Sequence, residues 1–373
     1  MRQEIHQLVE VSRRYGSDPD YVIAGGGNTS FKDTGRIWVK ASGSSMADID
    51  ENGFVCLDRE KLKILSEKAY SSDNTEREAQ VKQDLANAIE YPQDKRPSVE
   101  TSMHEIINHP FVVHTHPAMV CGLLCAQESK EMVNRLFAED CLYIEYTDPG
   151  YVLFKAVDNA LQDYREVKGT DPHIIFLENH GVFVAADRVE KIDEIYRDIA
   201  ETISANISVI PDNSNERQVP LLDTVSKLLK GHSKTSGCVS LQLANNLTDR
   251  FVSGRSAFDA VSIPFTPDNI VYCKSKYLFV QEVESVIPQI QQFREKNGFL
   301  PKVIAVEGAG IIALEENEQS ARIVLEVFED MMKVCVYTGN FGGPHPMTPS
   351  QISFIDNWEV ENYRRQVSKS KQS

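Results

Sequence analysis

The sequence predicts a layered α/β fold in two domains, and three observations carry that expectation. Short apolar runs with strand character alternate with longer helical patterns along the chain. With 373 residues, the chain exceeds the size at which one hydrophobic core usually stops growing. A polar, turn-rich stretch, Pro211-Asp212-Asn213-Ser214-Asn215-Glu216, separates two structured regions and sets the expected domains at 1–210 and 217–373.

Residues 2–15 predict a helix with Ile5, Leu8, Val9 and Ser12 on one stripe, broken at Gly16-Ser17-Asp18-Pro19. Gly25-Gly26-Gly27-Asn28-Thr29-Ser30 reads as a glycine-rich loop. Ile37-Trp38-Val39 and Phe54-Val55-Cys56-Leu57 read as strands, 58–69 as a helix, and 74–90 as another that stops before Pro92. Pro97-Ser98 opens a further helix, which puts Glu100 and His104 one turn apart on one face. Phe111-Val112-Val113-His114 switches to strand character, and the helical stretch after Pro117 carries Cys121 and Cys125, read as core packing. Leu142 to Tyr146 reads as a strand before the turn Asp148-Pro149-Gly150. Two apolar runs, 174–177 and 182–185, flank Glu178-Asn179-His180-Gly181, and 190–204 is a long helix.

Beyond the linker the pattern partly recurs. Residues 172–181 can be laid over 301–310, and 111–116 over 269–274, with Tyr272, Lys274 and Ala309 where the first stretch has histidines. The second domain therefore reads as a degenerate, metal-free repeat that ends in a helical tail. The bland alternative is chance recurrence of strand, turn and helix.

Composition narrows the function. A formal charge of −16 argues against nucleic-acid or anionic-membrane partners, which need a basic surface. Seven cysteines, odd in number and without C-x-x-C spacing, suit free thiols in a reducing compartment, so a cytoplasmic location is expected. The first 16 residues contain no apolar core of a leader, and no apolar run approaches the ~20 residues needed to span a bilayer.

The chemistry concentrates at His114-Thr115-His116. A strand turns alternate side chains to one face, so both imidazoles project together about 6 to 7 Å apart. Imidazoles with one open position are the usual ligands of catalytic zinc, and His180, in a tight Asn-His-Gly turn, is the best third ligand. An H-x-H pair alone reads equally as two ordinary histidines. The whole set, with Glu100 one helix ahead and a glycine-rich loop upstream, is what points to a metal. Gly25 to Ser30 offers backbone amides, and Asn28, Thr29 and Ser30 side-chain donors, to an anion. Neither a dinucleotide nor a P-loop fingerprint is present, because Ser30 takes the last glycine position and no Gly-Lys-Ser/Thr follows. The turn Lys40-Ala41-Ser42-Gly43-Ser44-Ser45 offers a second set of donors.

With these residues assembled, the chain resembles the class II aldolase/adducin family. The matching motifs, in family order, are Gly27-Asn28-Thr29-Ser30, Ser42-Gly43, Ser98-Val99-Glu100 with His104, His114-Thr115-His116, Asp148-Pro149-Gly150 and Asn179-His180-Gly181. The resemblance implies a three-layer α/β/α sandwich with a largely antiparallel central sheet, and zinc or another divalent ion on His114, His116 and His180. It also implies Glu100 as the catalytic carboxylate and a substrate-phosphate pocket of Asn28, Ser42, Gly43 and Ser98. Val99 departs from the family's second serine, which puts the phosphate in doubt. Residues 216–373, with Ile355 to Glu361 at the end, look like the aldolase half of fused rhamnulose-phosphate aldolase/dehydrogenase proteins.

The implied reaction is retro-aldol cleavage of a ketose or ketose 1-phosphate through a metal-stabilised enediolate, in a homo-oligomer whose only partner is a small sugar. Alternatives are a family epimerase or decarboxylase on the same metal, or a non-enzymatic adducin-like module, which has no need of three histidines with Glu100. His104 reads as support for its neighbours rather than as a ligand.

Overall fold

The computed structural model describes residues 2–138, 140–232, 235 and 237–357. Those up to Leu124, with Ser129–Asn206, form one compact unit; Cys125–Glu128 and the residues from Ile207 form a second. Cys125–Glu128 belongs to the second through backbone bonds, among them Gln127 N to Gly343 O at 2.9 Å and His345 N to Cys125 O at 2.7 Å. His345 is thus held in a structured loop.

The first unit contains β1 (Asn28–Lys32), β2 (Arg36–Lys40), β3 (Phe54–Asp58), β4 (Ile89–Tyr91), β5 (Phe111–Thr115), β6 (Leu142–Ile144), β7 (Ile174–Leu177) and β8 (Gly181–Ala186). Their spatial order is β4-β3-β2-β1-β5-β8-β7-β6, and every neighbouring pair is antiparallel except β6 with β7. Alternation along β5 divides the layers. Val112 joins a core with Phe183, Met103, Phe154 and Leu161, so the helices Thr101–Ile106 and Tyr151–Lys168 cover that face. Thr115 points the other way, to the Tyr196 hydroxyl on Val189–Ser204, and Thr29 meets Ser12 of Arg2–Gly16. The result is the three-layer α/β/α sandwich expected.

The second unit carries β9 (Val239–Leu243), β10 (Leu278–Val280), β11 (Val303–Val306) and β12 (Gly310–Glu315) in the order β10-β11-β12-β9. The helices Pro220–Gly231 and Val286–Asn297 pack their apolar faces on it through Leu222, Val225, Leu229, Val286 and Ile290. It is the smaller α/β domain.

Several local expectations are corrected. Asn28, Thr29 and Ser30 lie not in a loop but on β1, a central strand buried along its whole length. Glu100 precedes its helix as the N-cap residue, and 58–69 breaks into Arg59–Leu62 and Ile64–Glu67. Residues 269–274 cannot match β5, because Pro267–Cys273 is a helix, entered where Asn269 Oδ1 accepts from the backbone of Phe265 and Thr266. Of the terminal motif Ile355 to Glu361, the residues from Trp358 onward lie outside the described residues. All seven cysteines are free. Among the described residues no helix is long and apolar enough to cross a membrane.

Candidate metal centre

Antiparallel register brings the distant motifs to one end of the sheet. Asn28 opens β1 opposite His114 near the end of β5, and His114 faces Phe183 near the start of β8. His116 follows two residues after His114 and so shares its face. His180 sits in the β7–β8 turn behind Asn179, which adopts a left-handed φ of 53°. Gly181 lets that turn close. A Cβ there would lie 2.5 Å from His116 Cδ2 and 2.6 Å from the Thr115 carbonyl, so any larger residue displaces a ligand.

The ligand nitrogens of His114, His116 and His180 lie within 4.8 Å of one another. His114 is fully buried and stacked on Phe183, with ring centroids 4.1 Å apart. Its Nδ1 donates to the Val182 carbonyl at 3.0 Å, which leaves the Nε2 lone pair bare and aimed into the site, 2.9 Å from His116 Nε2.

Glu100 completes the constellation. Its side chain does not cap the helix that it precedes; instead Oε2 accepts from Asn28 Nδ2, and Oε1 lies 3.3 Å from His114 Nε2 and 3.4 Å from His180 Nε2. Burial opposes ionisation of this carboxyl. Cationic charge on the His114 and His180 side of the site, supplied by a bound ion where the imidazoles are neutral, outweighs it together with the Asn28 amide and holds the group well below the usual carboxylate range. Oε1 is nevertheless buried without a hydrogen bond. An acceptor-only oxygen beside an imidazole lone pair is repulsive unless a cation lies between them. At 3.3 and 3.4 Å from two imidazole nitrogens, Oε1 borders the space in which an ion on those nitrogens would sit. The donor set therefore fits a divalent metal.

The remaining expected site residues lie nearby in part. Ser98 Oγ accepts from the Glu100 amide at 3.3 Å, and the Ala41–Pro97 bridge sets the half-buried Ser42-Gly43 turn beside the segment leading into Ser98. Asn28 does not face open space, since both ends of its carboxamide are engaged, by Glu100 and His104. Sequence reasoning missed Phe183 as the platform under His114, and Tyr196, whose hydroxyl meets Thr115 at 2.8 Å. Strand alternation at Thr115 was the available signal for the latter.

Comparison with known proteins gives a family match. A family model described as Class II Aldolase and Adducin N-terminal domain matches residues 6–203. Among curated proteins, 226 residues are 26% identical to the uncharacterized oxidoreductase YuxG of Bacillus subtilis (strain 168), over 58% of this chain and 31% of that one. The chain thus spans about a third of the length of that relative. Among solved structures, the N-terminal class II aldolase domain of a conserved protein from Thermoplasma acidophilum is 26% identical with a TM-score of 0.46, covering 54% of this chain and 92% of its own. L-fuculose-1-phosphate aldolase from Thermus thermophilus is 13% identical with a TM-score of 0.37, covering 55% and 94%.

Proposed function

The chain belongs to the class II aldolase and adducin family, and from that premise we propose that it is a zinc-dependent aldolase cleaving a ketose or ketose 1-phosphate. His114, His116 and His180 hold the ion, and Glu100 is the catalytic carboxylate. When bound, the ion supplies a Lewis acid that draws electron density from a substrate carbonyl and its neighbouring hydroxyl. The observation that carries the reading is Glu100 Oε1, buried, ionised and without a hydrogen-bond donor, next to the imidazole nitrogens.

As the carbon–carbon bond breaks, its electron pair moves towards the carbonyl oxygen. Glu100 Oε1 carries a proton between substrate oxygen and the carbon left electron-rich, a task for a group with no competing donor. Ser98 and the Ser42-Gly43 turn supply donors to the substrate's polar end. Val99, where the family's aldolases carry a second serine, removes one such donor and favours a substrate whose phosphate is absent or held differently. The free cysteines suit the cytoplasm, and the family suggests a homo-oligomer.

The test is incubation of the zinc-loaded full chain with a panel of ketoses and ketose 1-phosphates. Release of an aldehyde with dihydroxyacetone or its phosphate is expected. An epimer or carbon dioxide as product reassigns the same centre to epimerisation or decarboxylation.

A further inference from the structure

We propose that Ser30, His104 and Asn28 form a directional hydrogen-bond chain that fixes the rotamer of Glu100, which makes His104 a positioning residue for the catalytic carboxylate. The inference rests on the reading of Glu100 as the proton-carrying group.

Each link dictates the next. Asn28 Nδ2 donates to Glu100 Oε2, which turns the Asn28 Oδ1 away. That oxygen meets His104 Nε2, and because it only accepts, Nε2 must carry the hydrogen. Burial holds the His104 imidazole well below its ordinary pKa, assisted by Lys32, so the ring is neutral and its Nδ1 bare. Ser30 Oγ lies 2.7 Å from that Nδ1 and donates to it. The hydroxyl thus selects the tautomer, the tautomer selects the amide orientation, and the amide holds one carboxylate oxygen while the other faces the histidines.

The framework leaves these groups little freedom. Asn28 and Ser30 are two residues apart on buried β1, and so share the face that Thr101–Ile106 covers. His104 is completely buried, edge-on to Phe183, the ring on which His114 also stacks. Both carboxamide ends of Asn28 are committed to this chain, so its primary task is to hold Glu100 rather than a substrate phosphate.

The experiment uses the full chain and the variants His104→Phe, His104→Gln and Ser30→Ala, with L-fuculose 1-phosphate and L-rhamnulose 1-phosphate as probes. His104→Phe should lower kcat per bound zinc by about ten- to hundredfold with KM and zinc content unchanged. His104→Gln, whose amide nitrogen can replace the Nε2 donor, should recover most of that loss. Ser30→Ala should lose less, and should raise the Nδ1–H tautomer of His104 in long-range ¹⁵N–¹H spectra of histidine-labelled protein. Wild-type turnover in His104→Phe, with only a lower thermal midpoint, overturns the proposal. If His104→Phe does not fold, Ser30→Ala decides alone: an unchanged tautomer and unchanged turnover overturn it.

Should the parent protein cleave neither probe, the aldolase reading is judged separately on the wider panel of ketoses, and the visible spectrum of the cobalt-loaded protein judges the chain. Glu100→Gln and His104→Phe should then shift the ligand-field band in the same direction, and a parent-like spectrum in His104→Phe overturns the inference.

Discussion

The two units contain one pattern twice, once with the three-histidine candidate metal centre and, among the described residues, once without it. β5-β8-β7-β6 and β9-β12-β11-β10 have the same order and pairing senses, antiparallel, antiparallel and then parallel. Turn bonds match as well. Asn179 N to Leu124 O has its counterpart in Gly308 N to Val252 O, and Ala185 N to His173 O in Leu314 N to Lys302 O. Setting Gly310 on Gly181 makes Ile312, which pairs with Gln242, the counterpart of Phe183, which pairs with His114. The positions of His114, His116 and His180 then hold Gln242, Ala244 and Ala309.

A Cβ on Gly310 would lie 2.5 Å from the Leu243 carbonyl, much as one on Gly181 would lie 2.6 Å from that of Thr115. Its other close neighbours are Leu222 and Ala244 rather than His116 and His114. Apolar packing thus takes the place of the histidine cluster. The four-strand pattern does not need the metal, and the centre depends on what the first unit adds: β1 with Asn28 and Ser30, and Glu100. Among the described residues the second sheet has no strands equivalent to β1–β4.

Four changes break or sharpen this contrast. The largest effect is expected from His114→Ala with His116→Ala, which should abolish zinc binding and turnover, whereas Gln242→Ala should leave zinc content per chain unchanged, as read by atomic emission. Next is Leu222→Ala, which should cost about 2–5 kcal/mol in urea unfolding of the second unit without loss of zinc. Gly181→Ala and Gly310→Ala should each cost roughly 1–3 kcal/mol by crowding a carbonyl, yet only the former should release metal, because only its Cβ meets a ligand.

The smallest effect concerns acid. The folded-state pKa of His104 is depressed, so below about 6.5 the unfolded chain binds the extra proton and the folded one does not. Its stabilisation is complete above that pH and falls by at most about 1.4 kcal/mol per pH unit below it. Hydrogen-exchange protection, corrected for the intrinsic pH dependence of amide exchange, should therefore fall between pH 8 and 5 in β1 and β5 before it does in β11 and β12.

Much of the first unit was legible because its inward residues are apolar: Val112 on β5, Phe183 and Ala185 on β8, and the stripe of the first helix. β1 was not. Its inward side chains, Asn28 and Ser30, are polar because they serve the site, so the alternation that marks a half-buried strand is missing, and the adjacent glycines read as a loop. The three clustered histidines were legible through H-T-H spacing and the Asn-His-Gly turn. That His104 supports its neighbours was legible, but its partner was not, because Asn28 lies 76 residues earlier and meets it only when β1 pairs with β5. In the second unit, Thr266-Pro267 signalled a helix start that the apolar run Ile270-Val271 obscured.

Anomalous diffraction at the zinc edge, on crystals of the full chain grown with the metal, tests the central claim most directly. A single peak between the imidazoles of His114, His116 and His180, beside the carboxylate of Glu100, is the predicted result. No density there with zinc in excess, or a peak at Gln242 and Ala309 instead, would contradict it.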